Sequence, residues 1–445
     1  MATLVQRIEL ADGIPSIQVP PPYSRVTALV TLFGVPLGDL TIKTYGGTVS
    51  SYYIRDQIAE RFSDRIVQLW LERKMNSGDK ASSEDLPAVD IVVCTSDRPE
   101  DLERCLRSLS EAVYHHKTTI VVDNGSKCDE TRGIALDRGA RYVREEKRGL
   151  DFARNAGLRE AQADFVAFAD DDVVVDRMWL NSIVRAFKDD EAVACVTGLT
   201  MPFELETEAQ ELFERYSTGG MRRGYERKVF DRFNLPPPAA GKVGAGANMA
   251  FRTAVLRQLG GFDEALDCGT PAKAGGDTDM FYRILRHGYK VCYEPRAIAW
   301  HRHRRGMDEL QNQLAGYSAA VYAFLTKCLV EHHDFGALSV GGSWFKGHHL
   351  RNLALGMTGR GPQPWSMTLG ELLGAFSGPI AYLKAKSYVS RIRLQRGLER
   401  RGRLNRSMQE PERNGSFPRL VSAILARRAG EVKRQESAQR HSTHT

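Results

Sequence analysis

The sequence predicts an α/β fold with a doubly wound, mainly parallel sheet, and two observations carry that expectation. From Ala88 onward, short apolar runs alternate with helical stretches, the pattern of successive βα units. One of those runs, Phe165-Val166-Ala167-Phe168-Ala169, ends in Asp170-Asp171-Asp172. Such a strand buries its body and sets carboxylates in the crevice at its carboxyl end, where open α/β sheets bind ligands.

The elements follow in order. Residues 25–32 and 38–43 flank Gly34-Val35-Pro36-Leu37 and predict a β-hairpin. Ile54, Ile58, Phe62, Ile66 and Leu69 recur at three- and four-residue spacing, which predicts a helix with one face to bury. Residues 1–74 thus read as a small α+β module, and the Ser-, Asp-, Glu- and Lys-rich residues 75–87 as a linker. Strands are predicted at 89–94, 119–123, 141–143, 165–168 and 192–196, with helices at 100–113, 129–138, 152–161 and 177–187. Beyond Thr200 the pattern becomes irregular, with Pro236-Pro237-Pro238 and glycine-rich stretches of the kind that carry substrate contacts. A helix is expected at 307–331, where Leu310, Leu314, Tyr317, Val321 and Phe324 keep helical spacing, and a weakly amphipathic segment follows at Leu369, Leu372, Leu373 and Phe376. The α/β domain therefore spans 88–305, a helical region 306–400, and a basic tail, expected to be disordered, 401–445.

Composition narrows the classes. With 445 residues and 42% apolar content, the chain is long enough for two to three domains with an ordinary globular core. Its seven cysteines are scattered and never paired as C-x-x-C, which argues against a disulfide framework or a zinc site and for reduced thiols. The N-terminus lacks a basic-then-apolar signal pattern and no window approaches a spanning helix, so a cytoplasmic protein is expected. The net charge of +7 is uneven: from Ala381 onward sixteen Lys and Arg face five Glu and no Asp, a net of +11.

Asp170 and Asp172, one residue apart, are hard oxygen donors suited to Mg²⁺ or Mn²⁺ with positions left for substrate phosphates; the plain alternative is an acidic turn. Around them, in order, stand Val92-Val93-Cys94-Thr95-Ser96-Asp97-Arg98-Pro99, Val121-Val122-Asp123-Asn124-Gly125-Ser126, and Lys147-Arg148-Gly149-Leu150-Asp151-Phe152-Ala153-Arg154-Asn155-Ala156-Gly157. Further on come Gly244-Ala245-Gly246-Ala247-Asn248, Gly260-Gly261-Phe262-Asp263, Gly275-Gly276-Asp277-Thr278-Asp279 through Arg283, and Ala299-Trp300-His301-Arg302-His303. Together, from about Asp90 to Arg305, these motifs resemble the family 2 glycosyltransferases, inverting enzymes with the GT-A nucleotide-diphospho-sugar transferase fold.

That resemblance implies roles. Thr95 and Asp97 would sit in the nucleotide-facing loop, and Asp123 would accept the imide hydrogen of a uracil or thymine ring. Gly149 would let the backbone approach the nucleotide, Arg154 would reach acidic or phosphate groups, and Asn248 would line the donor pocket. Asp170, Asp171 and Asp172 occupy the DXD position. Asp170 and Asp172 with His301, or with His303 in its place, would hold the metal, and Asp277 would be the general base. Two departures stand out: Asn124 replaces a carboxylate, and Gly276 replaces the Glu that precedes the base.

The expected activity is transfer of a sugar from a nucleoside diphosphate donor to a hydroxyl of a glycan, polysaccharide or glycolipid, assisted by Mn²⁺ or Mg²⁺. A nucleotidyltransferase on the same sheet would carry a glycine-rich basic loop after the first strand, and Thr95-Ser96-Asp97-Arg98-Pro99 is not one. A nucleic-acid-binding protein is disfavoured because the basic tail has almost no interleaved aromatics. Residues 369–382, followed by Lys384, Lys386, Arg391, Arg393 and Arg396, are expected to lie on the anionic inner leaflet near a lipid-linked acceptor, the alternative being a solvated helix.

Overall fold

The computed structural model describes residues 2–44, 47–75, 86–216 and 223–409, so most of the expected linker and the tail beyond Gln409 lie outside the described residues. The chain divides into two compact units, Met1–Tyr388 and Val389–Thr445, and the candidate site lies wholly within the first.

The N-terminal module contains β1 (Ala2–Glu9), β2 (Ile17–Val19), β3 (Tyr23–Leu32), β4 (Val35–Lys43), β5 (Gly47–Val49) and α1 (Ser51–Met75). The hairpin closes at Phe33–Gly34, both at positive φ, so β4 begins at Val35, where the sequence reading placed the turn. Two successive positive-φ residues give the twist that a tight hairpin needs. β1 adds in parallel to β3. The module packs on the α/β domain through Leu29, against Leu199, Met201 and Ile298. Ion pairs join Arg7 to Asp176 and, at 2.8 Å, Arg25 to Glu211.

The α/β domain runs β6 (Val89–Thr95), α2 (Pro99–Glu111), β7 (Lys117–Asp123), α3 (Glu130–Asp137), β8 (Arg141–Arg144), α4 (Leu150–Glu160), β9 (Phe165–Asp170), β10 (Val173–Val175), α5 (Trp179–Asp189), β11 (Val193–Pro202), α6 (Glu208–Tyr216), β12 (Lys228–Phe230), β13 (Asn248–Arg252), α7 (Thr253–Gln258), α8 (Gly276–Arg286) and β14 (Lys290–His301). The sheet order is β10-β14-β11-β13-β9-β6-β7-β8, with β12 added to β14. Strands β9, β6, β7 and β8 are parallel, as are β11 and β14, while β13 lies antiparallel between β9 and β11. The sheet is therefore mostly parallel. Ile91, Val92, Val93, Val121, Val122 and Val166 are fully buried, as strands covered on both faces must be.

Four helices follow: α9 (Met307–His332), α10 (Gly336–Trp344), α11 (Arg351–Met357) and α12 (Trp365–Gln409), with a π-helical turn at Phe345–Leu350. Gly374 and Gly378 bring α12 against α9: a Cβ on either would lie 2.5 Å from the carbonyl oxygen of Ala315 or Ala319.

Candidate active site

Parallel register assembles the site. Thr95 pairs with Asp123 across β6 and β7, and Cys94 pairs with Asp170 across β6 and β9, so three strands end together at one edge of the sheet.

Asp123 is fully buried at the tip of β7. Its Oδ1 accepts from the Ser126 backbone at 2.8 Å, and its Oδ2 accepts from Tyr142 Oη at 2.7 Å and Arg144 Nη1 at 2.9 Å. Burial raises its pKa, but the hydrogen bonds and the Arg144 charge outweigh that and hold the carboxyl below its ordinary value. The Ser126 side chain adds a further hydrogen bond, so Asp123 is held from several sides within the protein. A cavity of about 350 Å³ opens beside it, lined by Ser126, Lys127, Cys128, Asp129, Arg132, Tyr142 and Arg144. Asp97 ties neighbouring loops together, accepting from the Lys127 backbone at 2.8 Å and from Arg148 at 3.3 Å.

Asn124 explains the first departure from the motif. Its Nδ2 donates to the carbonyls of Glu145 and Lys147 at 3.2 and 2.7 Å, and its Oδ1 accepts from the Gly149 backbone at 2.7 Å. A carboxylate accepts but cannot donate, so only an amide clamps the 145–149 loop in this way. Gly149, expected to admit a nucleotide, makes its close approach to Asp267 instead: a Cβ there would lie 2.6 Å from Asp267 Oδ2. Asp267 in turn caps α4, accepting from the backbones of Leu150, Asp151 and Phe152.

The three aspartates diverge. Asp171, expected at the donor, is buried and accepts from Thr95 Oγ1 at 2.8 Å and Arg98 Nη1 at 3.0 Å, which occupies Thr95 as well. Burial pushes Asp171 up to about 7 against the opposing pull of Arg98. Asp170 Oδ1 lies 3.6 Å from Arg154 Nη2, and burial pushes this carboxyl up to about 6. Asp172 meets His301, because pairing of β10 with β14 sets Val173 opposite His301. His301 Nε2 lies 3.4 Å from Asp172 Oδ1, a buried oxygen without a hydrogen-bond partner. Burial pushes the His301 imidazole down to about 4, so the ring is neutral at neutral pH. An unpartnered carboxylate oxygen facing a neutral imidazole fits a divalent cation. Among the described residues, however, no three His, Cys, Asp or Glu side chains form a ready-made metal cluster.

His303 is not interchangeable with His301. It is buried, with Nδ1 3.0 Å from His301 Nδ1 and Nε2 2.8 Å from Glu214 Oε1, so both ring nitrogens are engaged. Glu214 stands on α6 one turn from Glu211, the residue that the N-terminal module grips through Arg25.

Arg154 is buried at the centre, donating to Asp151 Oδ1 at 3.1 Å beside Asp170. Asp277 lies in the first turn of α8, which Gly275 caps at positive φ. Its Oδ2 accepts from the Gly246 backbone at 2.9 Å and its Oδ1 from the Thr278 backbone at 2.7 Å. Asp279 and Arg283 pair at 2.8 Å, and Asp279 also meets Lys327 of α9, so the latter half of that motif is tied up within the protein. Asn248 does not line the donor pocket as expected. It is buried inside the sheet, donating both amide N–H groups to the Leu199 and Ala297 carbonyls and accepting from Trp179 Nε1. Arg98, Tyr142, Arg144, Asp151, Glu214 and Asp267 escaped the sequence reading. Only Asp151 and Arg98 had a signal, since both lie inside recognised motifs.

Residues 90–260 match the profile of glycosyl transferase family 2. That stretch, within the α/β domain, is thus similar to the domains of glycosyl transferase family 2. The chain is 27% identical over 270 residues to the pre-mycofactocin glycosyltransferase of Mycobacterium tuberculosis, across 60% of this chain and 53% of that one. It is 26% identical over 224 residues to an N-acetylglucosaminyltransferase of Rhizobium leguminosarum, across 48% and 51%. The chain thus spans about half the length of the curated relatives it matches. Among solved structures, it is similar at TM-score 0.42 and 17% identity to the mannosyltransferase PcManGT of Pyrobaculum calidifontis in complex with GDP-Man and Mn²⁺, covering 84% of this chain and 89% of that one.

Proposed function

We propose that the protein is an inverting glycosyltransferase, moving a sugar from a nucleoside diphosphate to an acceptor hydroxyl of a glycan or a lipid-linked glycan, with Asp277 as the base. The observation that carries this reading is the Asp277 carboxylate. Two backbone N–H groups orient it, and it is close enough to Asp170 for its charge to help raise that carboxyl. A base so held removes the acceptor proton as the oxygen attacks the anomeric carbon from the face opposite the diphosphate. One displacement inverts the centre and needs no covalent sugar-enzyme intermediate. Arg154, locked among carboxylates, supplies fixed positive charge beside Asp170. Asp123, bound to Ser126, Tyr142 and Arg144 that line the neighbouring cavity, is the residue that would set the donor base.

Asp172 and His301, with Asp170 beside them, are the residues that would hold Mn²⁺ or Mg²⁺. Such an ion, when bound, supplies charge against the leaving diphosphate.

The test incubates the full chain with UDP-, GDP- and dTDP-sugars and Mn²⁺ and follows nucleoside diphosphate release. One donor should be hydrolysed or transferred, with the new anomeric centre inverted by proton NMR. If no donor is turned over and no nucleoside diphosphate binds in Mn²⁺, the proposal is wrong; a retained anomeric configuration removes Asp277 as the base of a single displacement.

A further inference from the structure

α12 reverses the usual order of a helix in water. Between Leu369 and Ala385 its buried residues are Glu371, Gly374, Ala375, Gly378, Ala381, Tyr382 and Ala385, five of the seven being Gly or Ala, with Gly374 and Gly378 pressed against α9. The exposed seam carries the bulk: Leu369, Leu373, Phe376, Ile380 and Leu383 recur at alternating four- and three-residue spacing and are 44–65% exposed. A helix facing water hides its large apolar side chains, whereas small residues at helix contacts with large ones outside suit a helix that meets lipid.

The apolar surface extends beyond α12. Phe345 packs edge-on against Phe376 with ring centroids 5.9 Å apart, and exposed Leu338 of α10 lies two turns before Phe345. From Gly336 to Leu383 the chain holds a single acidic residue, Glu371, which is buried and engaged by His348 and Gln363. Lys346, Arg351, Arg360 and Lys384 are exposed on the same elements, their connections or the residue just beyond. The sequence from Ala381 onward adds a net charge of +11.

We infer that this face docks on an anionic lipid bilayer, with α12 lying in the interface. Its exposed seam, about 21 Å long at 1.5 Å per residue, would enter the acyl boundary while the lysines and arginines meet headgroup phosphates. No helix among the described residues is long and apolar enough to cross a membrane. A second copy of this chain is the rival occupant of such a seam, but pairing two copies would bring their cationic rims together, and juxtaposed like charges oppose association.

The experiment is flotation of the full chain, without donor, on vesicles of phosphatidylcholine alone and of phosphatidylcholine with one quarter phosphatidylglycerol. Binding to the anionic vesicles should be at least about tenfold tighter than to the neutral ones and should weaken as salt rises. The triple variant L373S/F376S/I380S should lose at least about tenfold of that binding while remaining folded by circular dichroism, because all three side chains are exposed. The inference is overturned if the wild-type chain ignores anionic vesicles or the triple variant binds them as well. It is overturned equally if the protein is a lipid-free dimer that the triple variant splits, since a second copy then covers the face. The readout uses no donor and stands apart from the test of sugar transfer.

Discussion

Asp151 occupies the space that a side chain at position 276 would need. A Cβ on Gly276 would lie 1.8 Å from Asp151 Oδ2 and 2.5 Å from its carboxyl carbon, so residue 276 can only be glycine while Asp151 keeps this position. Where the resembling motif carries Glu immediately before the base, this chain brings a carboxylate to the same neighbourhood from α4, paired with Arg154 at 3.1 Å. The acidic environment next to Asp277 is kept, but it comes from a residue 126 positions earlier in the chain.

Gly276→Glu should therefore fail alone and recover with Asp151→Gly. The single substitution forces a buried clash at the helix start and should cost about 3 kcal/mol or more, read as a fall in Tm. The double variant should regain most of that loss. A single variant as stable as the wild type would show that the contact yields easily.

A cation at His301 Nε2 requires the lone pair there, which puts the ring proton on Nδ1 and makes His303 Nδ1 the acceptor at 3.0 Å. His303 must then donate from Nε2 to Glu214. Glu214→Ala removes the last acceptor in this chain and should weaken Mn²⁺ binding about 10–100-fold by electron paramagnetic resonance titration. Glu214→Gln keeps an acceptor oxygen and should retain most of the affinity. Equal Mn²⁺ affinity in all three proteins would dismiss the orienting role.

Asp172 and Asp277 should separate binding from turnover. Asp172→Ala removes the unpartnered Oδ1 and one Arg98 contact at 3.2 Å, which Arg98 also makes to Asp171, so metal-dependent nucleoside diphosphate affinity should fall with only a modest change in Tm. Asp277→Asn should keep donor affinity within a few-fold and lower kcat by roughly 10²–10⁴. Calorimetry with UDP, GDP and dTDP, beside steady-state rates, distinguishes the two. The reverse pattern would exchange the proposed roles.

Local pattern carried much of this architecture. The strands β6, β7 and β9 and the helices between them were legible because apolar runs and helical periodicity are encoded within a few residues. β13 was hidden, since Asn248–Arg252 is short and reads equally well as a pocket loop, and its antiparallel insertion depends on partners more than 50 and about 80 residues away. The motif residues were legible by type, but what each one touches was not. Asn248, Asp171 and Gly149 turned out to serve the protein's own framework, and Glu214 looked like one more acid on a surface helix until His303 folded against it. Long-range pairing decides such cases, and no local signal reports it.

Asn124→Asp offers a sharper test, because it moves the chain toward the motif it resembles and should nonetheless weaken it. The new carboxylate would still accept from the Gly149 backbone, but it would lose both donations, to Glu145 and Lys147, and would set negative charge against those two carbonyl oxygens. Stranding buried acceptors in this way costs roughly 1–3 kcal/mol, several degrees of Tm at neutral pH. The sign with pH follows from the same contacts: burial and the neighbouring carbonyls raise the pKa of the introduced carboxyl above its unfolded value. Its protonated form can donate again, so the deficit should be largest above that raised pKa and shrink as pH falls through it. Thermal melts of wild type and variant between about pH 4 and 8 read this directly. A variant as stable as the wild type at pH 8, or one whose deficit grows on acidification, would show that the Asn124 clamp does not hold the loop.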